Sequence, residues 1–339
     1  MVWLRECVDL SQPVQYLVAW KTRDTGTNMR IRDHFTQAEL RSLLRRSNGL
    51  GWWAILVNWV MVFGALALVA VWPTPVSVVL ALIVLGGRQL GFGALMHECG
   101  HGSLFASRAL NQWAGKWLCA APVAYRLDDY MNRHLAHHQA IGSAADPDLS
   151  RYRNYPVSPA SFRRKLWRDL SGRTSLQFLR ELIRTNGTVA GSPGRAGFSF
   201  RALVTRLHAP LIVNIGLFAL LSLAGFWWLY LLWIAAFFST YMAFSRIRNL
   251  AEHAVVPDLE EADPLKNTRT TLTRWWERLT VAPNSVNYHL EHHLLPAVPK
   301  YRLAAFHQLL QKKDLLEDAD IVVGYGAVIR RLTARTESS

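Results

Sequence analysis

The sequence predicts an all-α integral membrane protein, with four transmembrane helices in two hairpins beneath a cytoplasmic, histidine-rich helical cap. Three observations carry that prediction. The apolar residues, 51% of 339, gather into a few long uncharged runs instead of recurring at helix or strand period. Of the 38 Lys and Arg residues, 37 fall outside those runs. Nine of the twelve histidines stand in four short clusters that lie just past the runs or between them.

Taken along the chain, residues 1–50 form an N-terminal segment in which Thr36 to Arg46 reads as a short amphipathic helix starting at a capping threonine. No basic stretch leading into a short apolar run and a small-residue cleavage site opens the chain, so insertion is expected to use the internal segments. The first span is expected over 52–72, free of charge, and the second over 76–96, with Arg88 as its single charge. About 20 residues cross a hydrocarbon core of roughly 30 Å, and Pro73, Thr74 and Pro75 turn the chain between the two. The second pair is expected over 210–223 and 226–244, hinged near Gly225; its first member is short, and a start before Pro210 is open.

Between the pairs, Leu110 to Tyr125 is apolar but too short to span and suits a helix at the interface. Pro159 to Arg184 interleaves Arg and Lys with Phe162, Leu166, Trp167, Leu170, Phe178 and Leu182, the pattern of a basic amphipathic helix pair on the membrane surface. Asn186 to Ser199 reads as a loop. The membrane domain therefore covers 51–307, its cap being 97–207 and 245–307, and 308–339 is expected as a C-terminal tail.

Charge sets the orientation. Neither turn between paired spans holds a basic residue, so both termini and the central segment are expected in the cytoplasm. The formal net charge of +14 fits an anionic membrane surface or an acidic protein partner; with these apolar runs, nucleic acid is not expected. Three cysteines, Cys7, Cys99 and Cys119, have no paired spacing, which argues against a disulfide framework or a thiolate metal site.

The histidines carry the chemistry. His97 and His101 lie in HECGH at the end of the second run. His134, His137 and His138 form HLAHH, and His289, His292 and His293 form HLEHH, the same HxxHH spacing twice. Positions i, i+3 and i+4 share one helical face, so each box is expected to present its imidazoles in one direction. His253 follows the fourth run, with Asn249 one turn before it. Neutral imidazole ligates transition metals, and nine ligands are too many for one ion but suit two. Glu98 and Glu291 are expected to hold ring N–H groups rather than to ligate, and Asp128, Asp129, Asp146 and Asp148 either do the same or stabilise loops. Cys99 reads as packing, and His34, His208 and His307 as ordinary surface or interface residues.

At these residues the chain resembles the membrane fatty acid desaturase superfamily over roughly Gly51 to His307. The resemblance implies a di-iron centre ligated by His97, His101, His134, His137, His138, His253, His289, His292 and His293, with Asn249 approaching an iron through water. It implies O2 as co-substrate and a fatty acyl chain of a lipid as substrate. The stretch NYHLEHHLLPAVPKYRL is similar to the third box of acyl-lipid and bacterial desaturases, so a bacterial inner membrane is expected ahead of the endoplasmic reticulum. The HPGG haem motif of members fused to cytochrome b5 does not occur, which implies a separate acidic electron carrier, ferredoxin or cytochrome b5, with its reductase. Two rivals stand beside desaturation: a lipid or small-molecule hydroxylase on the same scaffold, and a histidine-rich metal transporter, which would place its ligands inside the spans. Tryptophans 52, 53, 227, 228 and 233 suit either enclosure of an apolar chain or an interfacial belt.

Overall fold

The computed structural model describes residues 31–190 and 196–334, and Cys7 lies outside them. A capped helix α1 (Gln37–Leu43) opens the described chain, with Thr36 and Glu39 forming the reciprocal capping pair expected there. Two long helices follow, α2 (Asn48–Val71) and α3 (Pro75–Gly100), each longer than the apolar run that announced it. Pro73 ends the first and Pro75 starts the second, behind Thr74, whose hydroxyl accepts from the Ser77 N–H.

α3 is the central helix: 61% of its apolar window is buried within the protein, against 39% for α2. Between helices in lipid there is little hydrophobic drive, so close approach must supply the contact. Glycines on α3 permit it. A Cβ on Gly86 would lie 2.2 Å from the Thr240 hydroxyl, and one on Gly87 only 2.0 Å from the Leu279 carbonyl oxygen.

The third apolar run starts before Pro210, at His208, and bends sharply there. α9 (Phe200–Arg206) and α10 (His208–Leu223) meet at a bend of 72°. The fourth runs from Leu229 to His253, well past residue 244, as α11 (Leu229–Phe238) and α12 (Thr240–His253). Their break at Ser239 coincides with hydroxyls of Ser239 and Thr240 bonded back to the carbonyls of Ala235 and Ala236. The described helices thus include three long and apolar enough to cross a membrane, and a fourth if the bent pair is one span.

Polar groups inside these helices brace backbone. Asn58 donates to the Arg88 carbonyl, Arg88 to the carbonyls of Arg278 and Leu279, and Gln89 to that of Trp233. Asn214 donates to the carbonyls of Ala121 and Pro210 and accepts from the Trp233 indole. Trp233 is buried in the bundle, whereas Trp52, Trp53 and Trp227 are exposed.

The intervening segments are helical too. α4 (Arg108–Ala114) passes into a π-helical turn (Gly115–Ala120) and a 3-10 turn (Ala121–Val123). Then come α5 (Leu127–Ala140), the short α6 (Leu149–Tyr152), and the amphipathic pair α7 (Pro159–Leu170) and α8 (Arg173–Gly187). After the fourth apolar run lie α13 (Pro264–Asn267), α14 (His289–Leu294), α15 (Leu303–Lys312) and α16 (Tyr325–Leu332).

Two expectations need correction. The fold is mostly but not wholly helical. The segment read as a loop forms an antiparallel pair, β1 (Thr188–Ala190) with β2 (Ala196–Phe198), and β3 (Arg269–Leu272) pairs in parallel with β4 (Asp320–Val323). The residues read as a C-terminal tail are, over their described part, folded onto the rest. Leu310, Val328 and Leu332 are buried, and Arg269, itself buried, donates to Asp320 at 2.7 Å. Burying each such leucine or valine contributes about 1.5–3 kcal/mol, which accounts for the segment's order without a long apolar run to announce it.

Candidate metal centre

Four elements converge at one end of the bundle. His97 sits in the last turn of α3 and His101 caps it, α5 carries the second box, α12 ends on His253, and α14 is the third box. All nine histidines meet, in two groups. Ring nitrogens of His97, His101, His134, His138 and His292 lie within 4.8 Å of one another, and so do those of His137, His253, His289 and His293. The Nε2 atoms are spaced at 3.1 Å (His97–His292), 3.0 Å (His101–His134), 2.9 Å (His134–His138) and 3.1 Å (His138–His292) in the first group. In the second they are 2.9 Å (His253–His289) and 3.0 Å (His289–His293) apart.

The expectation that each box serves one direction is corrected here. Within HLAHH the i, i+4 pair His134 and His138 joins the first group and His137 the second; within HLEHH the i, i+4 pair His289 and His293 joins the second and His292 the first. Each HxxHH box therefore straddles both groups, while His97 and His101 of HECGH both join the first. Helical geometry explains it, because positions i+3 and i+4 diverge by about 100° around the axis.

The donor set fits metal ions. Imidazole bonds to a metal of about 2.0–2.1 Å put neighbouring ligand nitrogens about 2.9–3.4 Å apart, the spacing seen in both groups. Rings in such contact must also be neutral. Burial and the neighbouring imidazoles push His134, His138, His289, His292 and His293 well below the ordinary histidine range, which leaves them uncharged at neutral pH.

Behind the rings stand hydrogen-bond acceptors. His137 Nδ1 lies 2.9 Å from Asp146, which also accepts from the Tyr152 hydroxyl and from the backbone N–H of Asp148. Burial would raise the Asp146 carboxyl, but the bonds from His137 and Tyr152 hold it below its ordinary value. His253 Nδ1 faces the Asn267 carbonyl at 3.1 Å, and His289 Nδ1 faces Glu252 at 3.3 Å. Glu98 lies 3.5 Å from His97 Nδ1 and accepts from Ser103 and from the backbone N–H of Lys300.

Other expected roles fall elsewhere. Glu291 holds no ring of the two groups; it accepts from Thr270 and from His307 Nδ1. His307, read as a surface or interface residue, is buried, whereas His208 is exposed as expected. Asp129 pairs with Arg126, Asp148 with Arg133, and Asp128 is exposed. Cys99 and Cys119 are buried free thiols. Asn249 belongs to neither group; its side-chain oxygen accepts from Arg248, and it lines a cavity of about 350 Å³ that also exposes His134, His137, His253 and His289. Tyr152 and Glu252 were not singled out from the sequence. The signal for Glu252 was its place beside His253, and for Tyr152 there was none.

With this geometry in hand, comparison with known proteins gives a direct match: the sequence model of the family described as fatty acid desaturase covers residues 73–323. The chain belongs to the fatty acid desaturase family. The matched span holds both histidine groups entire. Among its curated relatives, this family member is 26% identical over 233 residues to the dihydrorhizobitoxine desaturase of Bradyrhizobium elkanii, which covers 66% of this chain and 65% of that one. It is 27% identical over 222 residues to the sn-1 acyl-lipid omega-3 desaturase (ferredoxin) of a Synechocystis species, covering 61% and 60%. It is 23% identical over 328 residues to the sn-1 oleoyl-lipid 12-desaturase of Anabaena variabilis, covering 86% and 88%. The match thus spans a little under two thirds of the length of the first two relatives.

Proposed function

We propose that the chain is a membrane-bound, O2-dependent desaturase that introduces a double bond into a fatty acyl chain of a lipid, with a separate carrier supplying electrons. The observation that carries this reading is the convergence of nine imidazoles, eight of them buried and His101 partly so, into two metal-sized groups beside one cavity. His97, His101, His134, His138 and His292 would hold one iron, and His137, His253, His289 and His293 the other, with Asn249 near the second through water. The two irons, when bound, supply with O2 an oxidant strong enough to take hydrogen from an unactivated methylene, which no side chain can do. Overall the CH2–CH2 unit loses two hydrogens, and O2 takes these with two electrons and two protons to become two waters.

The chain's own residues contribute neutrality, orientation and enclosure. Depressed basicity keeps His134, His138, His289, His292 and His293 in the neutral form, with one ring nitrogen of each free of a proton. Asp146 and the Asn267 carbonyl fix which nitrogen of His137 and His253 points inward, and Glu252 lies 3.3 Å from His289 Nδ1. Tyr130, stacked on His134 with 11° between the planes, and Phe178 and Leu182 of α8 give the cavity an apolar side toward which an acyl chain can be drawn. The in-span polar residues are occupied with backbone carbonyls, which favours an enzyme over a transport path through the bundle.

The name of the Synechocystis relative includes ferredoxin, and together with the +14 charge it supports a one-electron acidic carrier for this chain. The test is mass spectrometry of lipids from cells with and without the chain, with O2 and reductant varied. Loss of two hydrogens from an acyl chain, dependent on both, is expected. Gain of one oxygen would favour a hydroxylase, and an unchanged lipid profile would overturn the acyl reading.

A further inference from the structure

A second cavity, of about 620 Å³, adjoins the first between the π-helical turn after α4 and the bend joining α9 to α10. Tyr125 and Arg126 stand in the walls of both, so the two are neighbours across this pair. One side is basic: Lys116, Arg126 and Arg206 face it, against the single carboxylate of Asp128. Arg126 is matched by Asp129 at 2.9 Å. Among the described residues, Lys116 and Arg206 form no ion pair. The Lys116 ammonium lies 5.0 Å from the ring of Trp117, and Arg206 donates through Nη1 to the carbonyls of Asn186 and Thr188 at the end of α8. The other side is apolar, with Trp113, Leu127 and Pro210.

The position suits a headgroup. His208, Ala209 and Pro210 open α10, so the cavity lies where an apolar run meets its polar flank, the level at which lipid phosphates sit. From Arg126 to His134 is eight residues along α5, or about 12 Å of helical rise. A zigzag chain with carbon–carbon bonds of about 1.5 Å crosses that distance in roughly ten bonds, which puts mid-chain methylenes beside the histidines when the head stays behind.

Resting on the desaturase reading, we propose that this cavity binds the phosphate of a glycerophospholipid substrate through Lys116 and Arg206, and that its acyl chain passes Tyr125 to reach the histidines. Lys116 and Arg206 thereby select phosphate-bearing lipids over neutral ones. A single charge-assisted hydrogen bond is worth about tenfold in affinity, and discrimination of at least that size is expected.

The experiment is native mass spectrometry of the iron-loaded protein in mild detergent, offered phosphatidylglycerol, a diacylglycerol of the same chains, or inorganic phosphate. Retention of phosphatidylglycerol about tenfold above diacylglycerol is expected, lost in Lys116→Glu, kept in Lys116→Arg, with iron content equal throughout. If Lys116→Glu loses iron, Arg206→Gln serves in its place and should show the same loss of lipid. Equal retention of diacylglycerol, phosphate binding with no lipid preference, or undiminished retention in both charge variants overturns the proposal. Selective retention by a protein that desaturates no acyl chain leaves the site standing and removes the desaturase reading instead.

Discussion

The ring of Tyr152 lies over that of His253, 5.1 Å between centroids and 29° between planes, while its hydroxyl donates to Asp146, the carboxylate that faces His137 Nδ1. One side chain thus braces two of the four histidines in the second group. Tyr152→Phe keeps the stacking and loses the hydroxyl, so a fall of about tenfold in affinity for the metal of the second group is expected, with Asp146→Asn toward about a hundredfold. Titration with a competing chelator measures both. Unchanged affinity in Asp146→Asn would show that His137 needs no such support.

Gly87 and Gly64 form a matched pair on the two longest helices. A Cβ at Gly87 meets the Leu279 carbonyl at 2.0 Å, and one at Gly64 meets nothing within 4 Å. Gly87→Ala should therefore destabilise by about 1–3 kcal/mol or more through forced displacement of backbone. Gly64→Ala should be neutral or stabilising by up to about 1 kcal/mol through helix propensity. Thermal unfolding in detergent reads the two, and equal midpoints would argue against the close packing of residues 278–280 on α3.

Acidification has a determined sign. Burial holds the folded-state values of His134, His138, His289, His292 and His293 well below the usual range, whereas the unfolded chain takes up protons at about pH 6.5. Below that pH the unfolded state binds more protons, so stability is full above about pH 6.5 and falls as pH drops toward the folded-state values. Each histidine adds a slope of up to about 1.4 kcal/mol per pH unit. Chelator-treated protein should show a thermal midpoint level between about pH 8 and 7 and falling steeply by about pH 5; a level curve throughout would contradict the depressed basicity.

The C-terminal segment is tied by a buried ion pair. Arg269 donates to Asp320 and to the carbonyls of Ala251 and Val255, near the end of α12 that carries His253. Asp320→Asn leaves the guanidinium without its buried counter-charge, a change that costs about 3–5 kcal/mol. Earlier proteolytic release of the segment after α15 is the expected readout, and wild-type resistance would show that β4 is held by packing alone.

What was legible in the sequence was local. Uncharged runs at 52–72 and 76–96 mark helices because membrane solvent excludes charge, and HxxHH marks a ligand face because helical spacing is short-range. The partition of His134 and His138 from His137 was not legible, since it depends on how α5 and α14 are rotated against each other. Nor was the pairing of β3 with β4, strands of four residues separated by about fifty, because so short a run carries little periodic signal. His307 and Tyr152 were missed for a related reason: a lone buried polar residue is identified by its partner, here Glu291 and Asp146, and neither partner lies close enough in sequence to suggest it.

Metal analysis of the purified protein in mild detergent bears most directly on the proposal that nine histidines hold two irons. Two irons per chain are expected, with His292→Ala reducing occupancy of the five-histidine group, His137→Ala that of the four-histidine group, and His34→Ala neither. Iron content unchanged in both His292→Ala and His137→Ala, or a wild-type protein that binds no more than one metal when iron is in excess, would contradict it.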